Sequence, residues 1–213
     1  MKRVITVLAA LALVFLASAR ARADILGMGQ SGLPSAFTAW PGTLLADTGN
    51  LPWTTATMSG VAQTLVFSDP NNVFCEGCLD FIFAVPNNIG SDDSIQRVTD
   101  TSFRGWLTDV GYATQLYCVD GTNQFPVSVD RSSNGSVVGY NWSINSGVAP
   151  GQCTPALDIQ TNTRWFQAGT LNIIDGSVAS VPTYAPGTPE PASLLLLGSG
   201  LFGLAGYLRR KNS

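Results

Sequence analysis

Four cysteines, Cys75, Cys78, Cys118 and Cys153, have the most reactive side chains in this sequence. Cys75 and Cys78 have the Cys-x-x-Cys spacing. A pair with this spacing can catalyse redox reactions when it lies at the start of a helix. It can bind zinc when the protein contains a second such pair. Here the pair precedes a predicted strand, and the other two cysteines are 35 residues apart. An even number of cysteines then favours two disulfides. We predict that Cys75 pairs with Cys78 and Cys118 with Cys153; pairs that cross between these two sets are the alternative.

Carboxylates are the other candidates for catalysis, because the sequence contains no histidine. The lack of histidine excludes the Ser-His-Asp and Cys-His systems and the commonest general base. Two carboxylates across a cleft suffice for glycoside hydrolysis, so a carboxylate-based hydrolase is one alternative function. Aspartates at predicted turns and strand ends more simply cap and bend the backbone; these are Asp80, Asp92, Asp93, Asp100 and Asp109. We predict a protein that is not an enzyme and has no catalytic residue, cofactor or metal site.

Five tryptophans offer a third chemistry, the stacking of aromatic rings on sugars. Trp106, and Trp165 beside Phe166, are predicted to be structural, because aromatic side chains bury large areas and dominate cores. Trp142 is the candidate for an exposed, sugar-binding ring. A carbohydrate-binding module is therefore the second alternative function.

The charge of the central part of the sequence excludes one class of partner. Between Asp24 and Thr188 there are thirteen carboxylates, four arginines and no lysine, a balance of −9 against −3 for the whole sequence. Nucleic-acid binding needs Lys and Arg to displace counterions, so nucleic acid is not expected as a partner. The same charge should repel anionic lipid from the body as a whole.

The first residues have the pattern of a secretory signal peptide. Lys2 and Arg3 give a positive start, and residues 4–16 form an apolar segment of 13 residues. Small residues follow, and a segment this short with these flanks is typical of a cleaved signal rather than a membrane span. We predict cleavage after Ala23, with Ala19 as the alternative.

The central residues favour strands over helices. No stretch keeps a helical apolar stripe for three turns, and short β-prone runs alternate with turn residues. The predicted strands are 54–58, 63–67, 79–85, 102–108, 112–118, 127–130, 136–144, 164–174 and 177–181. The run 79–85 is nearly continuous in apolar residues, which is typical of a central strand covered on both faces. Many short strands predict an all-β fold, an antiparallel β-sandwich or jelly roll.

The last 25 residues combine three signals. Pro189, Glu190 and Pro191 precede an apolar run of 17 residues, 192–208, and the cluster Arg209-Arg210-Lys211 follows it. A bilayer core about 30 Å thick needs roughly 20 apolar residues in a helix, and about 17 is the lower limit. Basic clusters stay on the cytoplasmic side. The pattern predicts a transmembrane helix with the body on the far side of the membrane.

These three signals, in this order, resemble the PEP-CTERM sorting signal of bacterial surface proteins. The resemblance implies recognition of Pro189, Glu190 and Pro191 by an exosortase, a membrane-embedded cysteine transpeptidase or protease, and cleavage near this triplet, with Arg209 and Arg210 in the basic end. It also implies an association with exopolysaccharide and biofilm. The same tail is catalogued as an ice-binding protein C-terminal domain, but the body lacks the regular Thr-x-Thr ladder expected for ice binding.

The sequence thus predicts four parts: a signal peptide at 1–23, a β-sandwich ectodomain at 24–181, a spacer at 182–188, and a sorting signal at 189–211 with its helix at 192–208. The predicted function is that of an exported, disulfide-containing cell-surface or extracellular-matrix protein. Its expected partners are an exosortase, the membrane through the C-terminal helix, and exopolysaccharide.

Overall fold

The computed structural model describes residues 25–37, 42–113, 123–143 and 146–188. These ranges contain thirteen β-strands and no helix. One sheet has six strands, in the spatial order β1 (Ser31–Gly32), β9 (Ser128–Arg131), β10 (Val137–Asn141), β7 (Arg97–Thr101), β12 (Phe166–Asp175) and β13 (Ser177–Pro186). The other has seven, in the order β2 (Ser35–Phe37), β8 (Thr108–Ala113), β11 (Ala156–Thr161), β6 (Cys78–Ala84), β5 (Ser59–Asp69) and β3 (Thr43–Asp47), with β4 (Leu51–Thr54) paired to the start of β5.

The two sheets pack face to face, which confirms the predicted all-β sandwich. Every strand pair is antiparallel except β2 with β8, which is parallel. No helix able to cross a bilayer occurs in the described part of the chain. The predicted span 192–208 lies outside that part, as do the predicted signal peptide and its cleavage site at Ala23.

Strand β6 is the centre of the seven-stranded sheet, and all seven of its residues are buried. Leu79, Phe81 and Phe83 point towards the other sheet, whereas Ile82 belongs to a smaller apolar cluster on the outer face. Side chains alternate between the faces of a strand, so a continuous apolar run needs cover on both sides. The prediction of a doubly covered strand at 79–85 is confirmed.

Aromatic contacts and hydrogen bonds join the two sheets across the core. The ring of Phe83 meets Tyr140 of the six-stranded sheet edge to face, with centroids 5.6 Å apart. The Tyr140 hydroxyl donates to the backbone carbonyl of Asp158, at 2.6 Å. Near the edge of the sandwich, the Thr183 hydroxyl donates to Thr64 Oγ1, at 2.8 Å. A buried polar group that lacks a partner costs free energy, so these bonds also fix the relative position of the sheets.

Several predicted boundaries are wrong. Of the predicted strand 102–108, residues 102–107 form a loop, because Ser102 and Gly105 have φ angles of 77° and 89°, in a region that an extended strand does not use. Of the predicted strand 54–58, only Thr54 belongs to a strand. The prediction also missed β7 and β11, whose aspartates interrupt the apolar pattern. The predicted spacer 182–188 is strand as far as Pro186.

Arg131 holds one end of the sandwich together from the inside. Its side chain is 5% exposed, and its guanidinium donates to five oxygens of four segments. The acceptors are the carbonyls of Leu26, Phe103, Trp106 and Gly135 and the hydroxyl of Thr108, at 2.7–3.2 Å. Arginine presents five N–H donors in a rigid fork, so the whole donor capacity is used. The loop 102–107 is thereby fixed to the body.

We expect Arg131→Met to lower the free energy of unfolding by about 3 kcal/mol or more, because it leaves buried carbonyls without donors. Urea titrations followed by tryptophan fluorescence measure this change. Arg104→Met is the matched control, since Arg104 is exposed and its loss should change stability by less than about 0.5 kcal/mol. Equal effects of the two substitutions would contradict the role given to Arg131.

Candidate functional site

The point at which the chain leaves the sandwich has a fixed geometry. The Gly187 amide donates to the carbonyl of Trp165, at 2.9 Å, and the Thr163 hydroxyl donates to the carbonyl of Gly187, at 3.0 Å. A Cβ atom at Gly187 would lie 2.9 Å from the backbone carbon of Phe166, closer than side chains normally approach, so this position favours glycine. The body therefore extends at least as far as Gly187, beyond the predicted end at residue 181.

A row of polar side chains crosses the outer face of the seven-stranded sheet. The strand register places Asp80, Gln160 and Asp109 opposite one another on β6, β11 and β8, and Asp158 lies two residues before Gln160 on β11. We call these four residues the carboxylate row. Asp80 and Asp109 are 1% exposed and Asp158 is 4% exposed, so the row has little contact with solvent.

The loop between β5 and β6 contributes donors to this row. Asn72 Nδ2 donates to Asp80 Oδ1, at 2.7 Å. The Val73 amide donates to Gln160 Oε1, at 3.2 Å. Burial, and next the charge of Asp69, raise the pKa of Asp80 to about 8. Burial, and next the charge of Asp80, raise the pKa of Asp158 well above its usual value. These carboxyls are therefore held as neutral acids near neutral pH, because like charges and low dielectric disfavour ionisation.

The carboxylate row is poorly arranged for catalysis. A glycosidase needs one carboxylic acid and one carboxylate on the two sides of a substrate that reaches both. Here the acids share one covered sheet face. No group of three or more potential ligands among the described residues could hold a metal ion. The geometry favours a structural role.

Asp100 is a separate buried acid that faces the core. It lies opposite Val138 and is 0% exposed. Its Oδ1 accepts the Thr101 amide, at 2.7 Å, whereas its Oδ2 has no hydrogen-bond partner. Burial raises the pKa of Asp100 well above its usual value. A protonated carboxyl avoids the cost of a buried charge.

An ion pair on the outer face of the six-stranded sheet includes the side chain of Asn141. Arg97 bonds Asp130 through both guanidinium nitrogens, and Asn141 Nδ2 donates to Asp130 Oδ2, at 2.6 Å. The hydrogen bond from Arg97 lowers the pKa of Asp130. A Cβ at Gly139 would overlap the guanidinium of Arg97, so the small residue leaves room for the pair. The Asn141 amide is engaged in this cluster.

The tryptophans are placed differently from the prediction. Trp142, the sugar-binding candidate, is 5% exposed, and its indole donates to the carbonyl of Gln124, at 2.8 Å. Trp165, predicted to be structural, is 55% exposed, whereas Trp106 is half-buried. The neighbouring Phe166 suggested burial of Trp165, but its place in the turn between β11 and β12 exposes it. Trp106 and Trp165 both lie at the end where the chain leaves the body.

The predicted cysteine pairs fall partly within the described residues. Cys75 and Cys78 are brought together across a tight turn, with Cα atoms 5.3 Å apart, a usual separation for a disulfide. The turn includes Gly77 with φ 73°. Cys153 is buried at 6% exposure beside Pro86, and Cys118 lies outside the described residues. The redox alternative needs a helix after the pair, and the structure has strand β6 there.

The residues that follow Gly187 carry the match to a known family. Residues 187–211 match the PEP-CTERM protein-sorting motif. The chain carries a PEP-CTERM sorting signal. No curated protein and no solved structure matches the chain. The PEP-CTERM signal implies export and surface sorting that depend on an exosortase.

The PEP-CTERM match begins at the residue where the sandwich ends. Gly187 is the first residue of the match and, among the described residues, the last that is hydrogen-bonded to the body. The predicted recognition residues lie outside the described part of the chain: Pro189, Glu190, Pro191, Arg209 and Arg210. Glu190 is thus only three residues from a fixed backbone position.

The buried acids predict an unusual pH dependence. Because the pKa of Asp80 is raised to about 8, and that of Asp100 and Asp158 is also raised, the folded protein binds more protons than the unfolded chain above about pH 4. We expect the free energy of unfolding to fall as the pH rises from 4 to 8, by about 1.4 kcal/mol per pH unit for each extra proton bound. Urea titrations across this range measure the slope.

Asp80→Asn should make this slope shallower, because asparagine has no proton to lose. Asp92→Asn changes an exposed aspartate and should leave the slope as it is. A stability that rises between pH 4 and pH 8 would contradict the assignment of neutral acids.

Proposed function

We propose that this chain is an exported bacterial cell-surface or extracellular-matrix protein, whose sandwich is a binding or structural module rather than an enzyme. An exosortase recognises Pro189, Glu190 and Pro191 and cleaves near them, while the apolar run and the Arg209-Arg210 end hold the chain in the membrane. The observation that carries the proposal is the sorting motif at 187–211, which follows the folded body without a spacer.

Several features support export. The first 23 residues have the pattern of a signal peptide, and four cysteines suit an oxidising compartment. We propose disulfides between Cys75 and Cys78 and between Cys118 and Cys153, of which the first is supported by the 5.3 Å separation of its Cα atoms. The body has few positive charges and therefore a large negative net charge. A net charge far from zero keeps a protein soluble, which suits an exported protein.

We propose an exopolysaccharide matrix as the destination, on the resemblance of the tail to those of exopolysaccharide-associated proteins. The two alternative functions receive less support. The tryptophan chosen for sugar stacking, Trp142, is buried. The carboxylates needed for a hydrolase are covered, and burial holds Asp80 and Asp158 as neutral acids.

We expect Glu190→Ala to stop processing in the native host, because it removes the single charge of the recognition triplet. The full-length chain should then accumulate in the membrane fraction, whereas the wild-type chain should appear as a shorter form. Immunoblots of membrane and surface fractions, with mass spectrometry of the body, measure this. Glu76→Ala, at an exposed position of the body, is the control and should be processed normally. Equal processing of Glu190→Ala would refute the sorting function.

A further inference from the structure

The chain leaves the sandwich beside a group of aromatic and basic side chains, which we call the exit surface. It consists of residues from the loop 102–107 and from the turn between β11 and β12, together with the start of β12: Arg104, Trp106, Leu107, Arg164, Trp165 and Phe166. The two segments are joined, because the Leu107 amide donates to Asn162 Oδ1, at 2.8 Å. Arg104 and Trp106 also share one shallow cavity with Pro186 and Thr188.

We propose that the exit surface rests on the phospholipid interface of the membrane that holds the tail. This inference rests on the proposed function, because it requires the chain to be membrane-anchored before processing. It adds a docking surface on the folded body, which a flexibly tethered domain would not need.

The length of the connection restricts the body to the membrane surface. Gly187 is hydrogen-bonded to the body, and the apolar run begins at residue 192. Five residue steps span at most about 18 Å when fully extended. The headgroup layer takes up about 5–8 Å of this on each side of the bilayer. The residues nearest to Gly187 must therefore face lipid headgroups at short range.

The side chains of the exit surface suit that position. Trp165 is 55% exposed, Leu107 is 49% exposed and Phe166 is 38% exposed. Tryptophan is enriched at membrane–water interfaces, where its ring lies at headgroup level. Arg104 and Arg164 are also exposed, and Arg164 uses Nη2 to donate to the backbone carbonyl of Glu76, at 3.0 Å. Guanidinium groups bind phosphate through paired hydrogen bonds, and Arg104 and the remaining donors of Arg164 face solvent. The apolar rings would enter the interface while the arginines bind headgroup phosphates.

The opposite end of the sandwich has the opposite charge. Exposed apolar side chains occur there too, such as Ile89 and Val178. They lie near Asp92, Asp93 and Asp175, and Asp93 and Asp175 interact with each other. The arginine at this end, Arg97, lies beside Ile174 on the neighbouring strand and is paired with Asp130. Two of the four arginines of the body are on the exit surface. Charge, as well as the tether, thus distinguishes the end that faces phosphate groups.

The loop of the exit surface is held in a fixed shape. The Arg131 guanidinium donates to the carbonyls of Phe103 and Trp106, at 2.8 and 2.7 Å. Ser102, at the start of the loop, has a φ angle of 77°, a conformation that costs free energy for a residue with a side chain. A loop fixed in this way presents Trp106 and Leu107 without a further loss of conformational entropy on binding.

Tryptophan fluorescence tests this proposal on the full-length chain. The tail contains no tryptophan, so quenching by lipids brominated near the headgroup reports on the body alone. The protein is reconstituted into phosphatidylcholine vesicles with and without phosphatidylglycerol, and flotation records anchoring. We expect quenching of the wild-type body, and Trp165→Phe should remove about half of it or more, because Trp165 is the most exposed of the described tryptophans.

Two further variants complete the test. Arg104→Gln with Arg164→Gln should reduce quenching, most strongly in vesicles with phosphatidylglycerol. Trp165→Phe with Val178→Trp moves the exposed ring to the far end of β13, about 26 Å away at 3.3 Å per residue, and the ring of this variant should not be quenched.

Vesicles that float with unquenched protein would overturn the proposal but leave the anchor intact. Protein that does not float would overturn the anchor and, with it, the docking surface. Quenching that survives Trp165→Phe undiminished would show that another face meets the lipid, which also overturns the proposal.

Discussion

The buried guanidinium of Arg131 is the interaction on which one end of this sandwich depends. It joins the N-terminal segment at Leu26, the loop at Phe103 and Trp106, the start of β8 at Thr108 and the hairpin at Gly135. Burial lowers the pKa of Arg131, but an arginine stays charged in proteins, so carbonyl oxygens replace its hydration. The same end releases the chain to the sorting signal. A fixed body that leads directly into a sorting signal is therefore the central feature of this chain.

The sequence predicted the strand content well but the edges of the elements poorly. Strand β6 was predictable, because the apolar run from Leu79 to Val85 leaves few alternatives. Strand β11 was not, because Asp158 and Gln160 resemble solvent-facing residues although they are buried beneath a loop. The alternation of side chains along a strand shows which residues share a face of the sheet. It does not show whether a loop or another sheet covers that face. The carboxylate row was missed for this reason.

The candidate site was predictable only where its signal is local in the sequence. The sorting motif depends on consecutive residues, so its match required no fold. The exit surface depends on contacts between Leu107 and Asn162 and between Trp165 and Gly187, which join residues that are distant in sequence. The net charge of −9 predicts repulsion of the body as a whole from anionic lipid, but it does not show where the charges lie. The structure exposes Arg104 and Arg164 on two segments that the Leu107–Asn162 hydrogen bond joins, whereas several of the carboxylates are buried.

The short connection between body and tail has a mechanical consequence for processing. An exosortase that acts near Glu190, as we propose, would work only three residues from Gly187, which is held by Trp165 and Thr163. Either the enzyme approaches the exit surface directly, or the last residues of β13 separate from β12 first. Phe166 and Pro186 form the terminal pair of that hairpin, and terminal pairs open at little cost compared with global unfolding. In the arrangement that we propose, the exit surface would meet two demands, since its contact with lipid would lie close to the proposed cleavage site.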